Sequence, residues 1–246
     1  MKKLLLLLSF LSTAAFAQIP HGKVIEGLSV KSAITGYDVH YSVYLPADYE
    51  TSKRSYPVMY LLHGYSDNVT AWVQFGQVNL SADRGIANGE IPAMIIVMPD
   101  AKLTFYMNDA AGKDRYEDMF FQEFIPTIEK TYRIRASKEF RAISGLSMGG
   151  YGTLLYALKH PDMFVACAPF SAAVWTDEEI LKMPYDAYNK RMERVGCDST
   201  HKLCDNWRKN SILDLVKTTP AEKIKSVRFY IDCGDDDFLY LSLIHI

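Results

Sequence analysis

The chain has 246 residues, of which 49% are hydrophobic and 23% are charged, a balance typical of an ordinary folded domain and not of disordered, collagen-like or coiled-coil chains. Its 27 Lys and Arg residues are opposed by 29 Asp and Glu residues, so the formal net charge is -2. No basic stripe offers the phosphate contacts on which nucleic-acid binding depends, and we exclude nucleic acid as a partner.

The first seventeen residues predict a cleaved secretory signal peptide. Two lysines precede an apolar stretch over residues 4–11, and residues 15–17 read Ala-Phe-Ala, the small-x-small pattern that signal peptidase cleaves. The stretch is well short of the ~20 residues that a membrane-spanning helix needs. We therefore expect a mature domain over residues 18–246, periplasmic or secreted, with no membrane contact after cleavage.

The mature chain alternates apolar runs with helical patterns, in the manner of βαβ units. A half-buried strand is predicted at residues 39–45, where apolar and polar residues alternate, and short buried strands are predicted at residues 58–62, 94–98, 140–144 and 227–231. Helices are predicted at residues 118–132 and 148–159. Residues 176–217 break this rhythm, and we interpret them as an insertion over the sheet edge. The alternation predicts a single α/β domain with a mostly parallel sheet covered by helices on both faces.

The four cysteines of the chain divide into two pairs by their surroundings. Cys197 and Cys204 lie seven residues apart in a polar segment, where a short disulfide ring closes easily, but a free pair is equally compatible with the sequence. Cys167 and Cys233 lie in apolar runs that resemble strands, which favours buried free thiols. No C-x-x-C or paired-histidine spacing occurs, so we predict no metal site, and nothing indicates an organic cofactor.

The strongest local signal for chemistry is at residues 145–150, which read Gly-Leu-Ser-Met-Gly-Gly between a predicted strand and a predicted helix. This is the G-x-S-x-G pattern of a nucleophile elbow, in which the serine occupies a sharp strand-to-helix turn and its neighbours two residues away must be small. We predict Ser147 as the nucleophile and the amide of Met148, at the helix start, as an oxyanion donor. A glycine-rich helix start without catalytic function is the alternative.

A second oxyanion donor is expected after an earlier strand. The predicted strand at residues 58–62 is followed by His63 and Gly64, where the chain can turn so that the amide of Tyr65 faces the same oxygen. His63 precedes the nucleophile in the chain, whereas enzymes with a nucleophile elbow have the order serine, acid, histidine along the chain. We therefore interpret His63 as a structural residue that holds the loop.

Several motifs along the chain occur together in one known family. They are residues 56–64 (Tyr-Pro-Val-Met-Tyr-Leu-Leu-His-Gly), Trp72, residues 96–100 (Ile-Val-Met-Pro-Asp), Ile125 and Pro126 at the end of a helical pattern, Tyr132, and residues 145–150. On these residues, the sequence over residues 39–239 resembles the esterase D-like branch of the α/β-hydrolases. The branch includes feruloyl and acetyl xylan esterases of carbohydrate esterase family 1, S-formylglutathione hydrolases and mycolyltransferases, and bacterial feruloyl-esterase-like enzymes are most similar.

The resemblance implies an α/β-hydrolase fold and an acidic catalytic residue in a Gly-x-x-Asp pattern after a late strand. Asp237 lies three residues after Gly234 and is the predicted acid, with Asp235 and Asp236 as competitors. The family's histidine follows on a loop after a further strand, but only His245 follows Asp237 here. We expect that the terminal strand, histidine and helix are missing, that residues 241–246 are not native, and that the chain as given is nearly inactive.

The resemblance also implies a function: an exported serine carboxylic-ester hydrolase that releases feruloyl or acetyl groups from plant cell-wall xylan. Its substrate would be a small-molecule or polysaccharide ester. The predicted ligand contact is Tyr106, in an aromatic loop that follows residues 96–100, although simple packing of the loop is the alternative. Other functions stay open: another short-acyl or siderophore esterase, or a catalytically silent scaffold that binds carbohydrate or a protein. The oligomeric state is open too.

Overall fold

The computed structural model describes residues 19–197, 200, 202–237 and 239. The predicted signal peptide, residues 241–246 and His245 lie outside these residues. Within the described part, no helix combines the length and apolar character that crossing a bilayer would require.

The described residues form one seven-stranded mixed sheet in the order β1-β2-β4-β3-β5-β6-β7. β1 and β2 are antiparallel to each other, and β2 is antiparallel to β4, whereas all the later pairs are parallel. The strands are β1 Lys23–Lys31, β2 Asp38–Leu45, β3 Val58–Leu62, β4 Ile95–Pro99, β5 Arg141–Leu146, β6 Ala166–Phe170 and β7 Arg228–Phe229.

Helices connect the parallel strands. They are α1 Ala71–Gln74, α2 Val78–Ala87, α3 Tyr116–Met119, a π-helical turn Phe120–Phe124, α4 Ile125–Thr131, a 3₁₀ turn Lys138–Phe140, α5 Met148–Lys159, α6 Asp177–Lys182, α7 Tyr185–Met192, α8 Asp205–Asn210, α9 Ile212–Thr218 and α10 Ala221–Lys225.

The central strands are buried on both faces. In β3, Tyr60 and Leu62 belong to a large core with α3, α4 and α5, while Leu61 between them packs on the opposite face with Ala82 of α2. Because successive side chains of a strand point to opposite faces, this division requires a helical layer on each side. The architecture confirms the predicted α/β fold with a mostly parallel sheet.

The predicted strands at residues 39–45 and 58–62 and the predicted helix at 148–159 are confirmed, the last two with the predicted bounds. β1 was not predicted, because this edge strand is mostly exposed and has a register shift between Ile25 and Leu28 that breaks any alternation. The insertion consists of α6 to α9, and α9 packs against α5.

The structure answers the open question about the cysteines. Cys197 and Cys204 form a disulfide that joins the end of α7 to the start of α8. Cys167 is a buried free thiol in β6, as predicted, but Cys233 is only half-buried and lies beyond the last residue of β7.

Candidate active site

The site is built at the carboxyl ends of three adjacent parallel strands, β3, β5 and β6, where ligands of open α/β sheets bind. Ser147 stands between β5 and α5 with φ 56 and ψ -112, in a region that L-residues rarely adopt. Its amide donates to the carbonyl of Phe170, and its carbonyl accepts from the amide of Ala173, both at 2.9 Å. These bonds to β6 and the loop after it hold the strained turn in place.

Two glycines make the turn sterically possible. A β-carbon on Gly149 would lie 2.2 Å from the carbonyl oxygen of Leu62, and one on Gly145 would lie 2.5 Å from the carbonyl oxygen of Gly149. A side chain on Gly149 would force α5 away from the end of β3, and one on Gly145 would force β5 and α5 apart. The G-x-S-x-G spacing therefore corresponds to two close backbone approaches around Ser147.

The loop after β3 reaches the nucleophile. A β-carbon on Gly64 would lie 3.8 Å from the Cβ of Ser147, so the two backbones are in near contact. The amide of Asp67 donates to the carbonyl of Gly64 at 3.2 Å, and Ser66 has φ 64. This is a four-residue turn with a positive φ at its third residue, as a type II turn requires.

His63 fixes the orientation of the next peptide. Its ring is 2% exposed; Nδ1 lies 2.8 Å from the carbonyl oxygen of Gly64, and the amide of Ala101 donates to Nε2 at 2.9 Å. Because Nε2 accepts from this amide, Nδ1 is the ring nitrogen that donates to the carbonyl of Gly64. In a trans peptide the N–H is opposite the carbonyl, so holding the Gly64 carbonyl also directs the N–H of Tyr65. His63 has the loop-holding role predicted for it.

The two predicted oxyanion donors are available for a ligand. Within the described part of the chain, neither the amide of Tyr65 nor that of Met148 donates to a protein acceptor. Met148 is the first residue of α5, where an amide has no partner inside its own helix. A helix N-terminus also favours negative charge. The predicted oxyanion role requires an amide without a protein acceptor at each of these two positions.

The structure corrects the prediction for Tyr106. This side chain is 0% exposed and does not reach a ligand: its hydroxyl donates to the carbonyl of His63 at 2.9 Å, and burial raises its pKa. Tyr106 thus supports the loop that carries Tyr65. The adjacent Phe105 is the partly exposed ring, and it contacts Tyr65 and Trp175 at centroid distances of 5.9 and 6.2 Å.

Asp237 lies beside the strand that anchors Ser147. Its backbone closes a turn with Gly234, and its carboxylate accepts from the amide of Leu239 at 2.9 Å. A hydrogen bond from Ser171, directly after β6, holds the pKa of Asp237 below its ordinary value. Ser171 was not singled out from the sequence; its position at the end of the strand next to β5 was the available signal.

No described histidine is positioned as the base. His63 is engaged as above, His160 bonds to Glu117 at 3.0 Å, and His21 bonds to Asp83 at 3.1 Å. His40 belongs to β2, which β4 and β3 separate from β5. His245, the histidine that follows Asp237, lies outside the described residues, so its role stays untested.

A cleft of about 340 Å³ opens next to the elbow, on the β3 side of Ser147. Among the described residues that line it, most are apolar and one, Asp67, carries a carboxylate. The lining residues are Gly64, Asp67, Ala71, Trp72, Phe75, Gly76 and Leu146. Sequence reasoning identified Trp72 only through the family resemblance and did not single out the other side chains.

Comparison with known proteins agrees with this geometry. Residues 32–240 match the family described as "Putative esterase". The chain is 36% identical over 169 residues to an endo-1,4-beta-xylanase/feruloyl esterase of Xylanibacter ruminicola, covering 66% of this chain and 23% of that protein. It is 33% identical over 211 residues to an esterase of Mycobacterium tuberculosis, covering 77% of this chain and 45% of the relative. The chain thus spans less than half the length of either.

A solved structure of a ferulic acid esterase superposes with a TM-score of 0.75 at 33% identity, covering 92% of this chain and 83% of the other. Three findings on this chain lead to one assignment: its fold, the elbow at Ser147 and the family match over most of its sequence. The chain belongs to the putative esterase family and has the α/β-hydrolase fold.

Proposed function

We propose that the protein is a serine carboxylic-ester hydrolase that works through an acyl-enzyme. The observation that carries this proposal is the strained Ser147 at the start of α5, next to two amides that have no acceptor in the described chain. Such a turn costs free energy and persists at functional sites, where it exposes a nucleophile.

In the proposed mechanism, the hydroxyl of Ser147 attacks the ester carbonyl, and its proton passes to a histidine. The carbonyl oxygen becomes an anion that accepts from the amides of Tyr65 and Met148, and each such donor is typically worth ~3 kcal/mol. The imidazolium then protonates the departing alcohol, and water releases the acid from the acyl-enzyme by the same steps. Asp237 orients the histidine.

The histidine belongs, in this proposal, to a part of the protein outside the described residues. The acid loop indicates where it must act: it follows Asp232, which pairs with Phe170 of β6 and whose carbonyl accepts from the amide of Ser171 at 2.8 Å, next to the strand that carries Ser147. The base therefore approaches Ser147 from the β6 side, opposite the cleft on the β3 side.

The proposed substrates are feruloyl or acetyl esters of plant cell-wall xylan, and the predicted signal peptide would export the enzyme to the periplasm or beyond. Relatives support this choice: one is named endo-1,4-beta-xylanase/feruloyl esterase, and an acetyl esterase of Caldicellulosiruptor saccharolyticus is 29% identical over 188 residues. The function needs no cofactor, because the nucleophile, acid and oxyanion donors are all protein groups.

The test is hydrolysis of methyl ferulate and of p-nitrophenyl acetate by the full-length protein. We expect ferulate release, and a loss of at least about 10⁴-fold in Ser147→Ala. Ser81→Ala, at an exposed position of α2, is the control and keeps full activity. Activity on acetyl esters alone would assign a short-acyl esterase. No hydrolysis of either ester, or equal rates for Ser147→Ala and wild type, would contradict the proposal.

A further inference from the structure

The loop between β4 and α3 is strained at the residues that support the oxyanion loop, residues 63–67. Phe105 and Tyr106 have φ values of 51 and 59, in the left-handed region that residues other than glycine rarely adopt. Such a conformation persists only where neighbouring groups hold it. Because the hydroxyl of Tyr106 donates to the carbonyl of His63, the position of this strained loop also affects the peptide that presents the N–H of Tyr65. The groups that hold the strained loop therefore influence the predicted oxyanion site.

One of these groups comes from the insertion. Arg194, which follows α7, donates from Nε and Nη2 to the carbonyl of Met107 at 3.2 and 2.6 Å. Nη1 also donates to the carboxylate of Asp114 at 3.3 Å, and Nη2 donates to the carbonyl of the same residue at 3.3 Å. A backbone hydrogen bond is made in the opposite direction, from the amide of Ala110 to the carbonyl of Arg194 at 2.9 Å. The planar guanidinium, only 19% exposed, thus fixes the chain directly after Tyr106.

The disulfide constrains the chain that follows Arg194. Cys197 is bonded to Cys204, which directly precedes α8, and both residues are half-buried. The side-chain amide of Asn206 in α8 donates to the carbonyl of Val195 at 3.0 Å, so the same segment is held at a second point. The bridge therefore helps to keep Arg194 next to the loop that it binds. Because the bridge is only half-buried, a small thiol reagent can reach it.

We propose that Arg194 is a positioning residue for ester hydrolysis by Ser147, and that the Cys197–Cys204 bridge affects the same reaction through Arg194. The inference rests on the proposed hydrolase function. It makes the rate dependent on the redox state of the bridge: a dithiol reagent lowers kcat. One thiol of the reagent attacks a bridge sulfur, and its second thiol then displaces the cysteine from the mixed disulfide. The products are two cysteine thiols and the cyclic disulfide of the reagent.

The first test compares two arginines of the insertion in the full-length protein. Arg194→Ala removes the bonds to the strained loop, whereas Arg208→Ala removes bonds to Asp177 and Asp214, which both belong to the insertion. Both variants lose ion pairs, so a drop in Tm does not separate them.

The rate of ester hydrolysis does separate them. With p-nitrophenyl acetate we expect kcat to fall about threefold to tenfold in Arg194→Ala alone, which is part of the effect of one oxyanion donor, with KM unchanged. The rate of labelling by a fluorophosphonate needs the same donors and should fall by the same factor. A residue with a structural role only would leave both rates at the values of Arg208→Ala.

The second test reduces the bridge in the wild-type chain, so that no variant needs to fold. Dithiothreitol should raise the number of thiols titrated after denaturation from two to four, because Cys167 and Cys233 are free before reduction. We expect reduction to lower the kcat of wild type about threefold. It should leave the kcat of Arg194→Ala unchanged, because the two changes act through one contact and are not additive.

The outcomes separate this inference from the proposed function. Equal kcat in Arg194→Ala and wild type, or an unchanged kcat in wild type after complete reduction, overturns the inference while hydrolysis by Ser147 stands. A further loss of kcat on reducing Arg194→Ala overturns the link between the bridge and Arg194. Failure of wild type to hydrolyse any ester contradicts the proposed function instead.

Discussion

The hydroxyl of Tyr106 offers a direct way to test how the oxyanion loop is held. Tyr106→Phe keeps the fully buried ring and removes only the hydrogen bond of 2.9 Å to the carbonyl of His63. That carbonyl accepts no other hydrogen bond in the described chain. Leaving a buried acceptor without a donor costs about 1–3 kcal/mol, so we expect the free energy of unfolding to fall by that amount.

The same change affects catalysis through the loop. The peptide held by Tyr106 directly precedes the one that presents the N–H of Tyr65. One oxyanion donor is worth ~3 kcal/mol, and partial misalignment loses part of it, so we expect kcat to fall about threefold to tenfold. KM changes little, because Tyr106 is 0% exposed and does not touch substrate.

The assay combines urea denaturation with hydrolysis of p-nitrophenyl acetate. Tyr44→Phe is the matched control: it also removes a buried tyrosine hydroxyl, bonded to Asp83 at 2.7 Å, but on the opposite face of the sheet. It should lose stability and keep kcat. If Tyr106→Phe leaves both stability and kcat at wild-type values, the supporting role assigned to Tyr106 is wrong.

Three further predictions follow from the site and its surroundings. Gly149→Ala places a β-carbon 2.2 Å from the carbonyl oxygen of Leu62 and should lower the free energy of unfolding by several kcal/mol, seen as a large drop in Tm. Gly234→Ala, whose β-carbon would have its nearest neighbour 4.0 Å away, should fold normally. Equal Tm values for the two variants would contradict the close approach at Gly149. Denatured, unreduced protein should show two titratable thiols out of four cysteines, and four thiols would show that the Cys197–Cys204 bridge is absent. Removing the bridge should lower the free energy of unfolding by about 2–3 kcal/mol. Ser171→Ala removes the hydrogen bond that lowers the pKa of Asp237, so the pKa of this carboxyl group, measured by NMR, should rise. The lowered pKa stabilises the folded protein at pH values above the ordinary pKa of an aspartate, and this stabilisation is lost as the pH falls through the pKa of the folded state. An unchanged pKa in the variant would refute the contact.

The strands and helices that could be predicted from sequence are those whose local residue pattern matches the burial they have in the fold. β3 is a continuous apolar run because both of its faces are buried, and α5 starts at a glycine motif that has steric meaning. β1 has neither signal, since it is a largely exposed edge strand.

The residues of the candidate site likewise differ in how far their roles could be predicted from sequence. The elbow at Ser147 could be predicted because a short pattern between a strand and a helix marks it, and the contact between Gly145 and Gly149 lies within that pattern. The burial of Tyr106 does not follow from spacing: its backbone has φ 59, and its hydroxyl bonds a residue 43 positions away in the chain. Asp67 and Ser171 were missed for the related reason that their neighbours come from other strands.

The most direct measurement of the central claim is covalent labelling of the full-length protein with a fluorophosphonate, followed by peptide mapping. Attack on phosphorus needs an activated hydroxyl and stabilisation of an oxyanion, which are the properties assigned to Ser147 and to the amides of Tyr65 and Met148. We predict one adduct per chain, on Ser147, absent from Ser147→Ala. An adduct on another residue, or none on the folded full-length protein, would contradict the account.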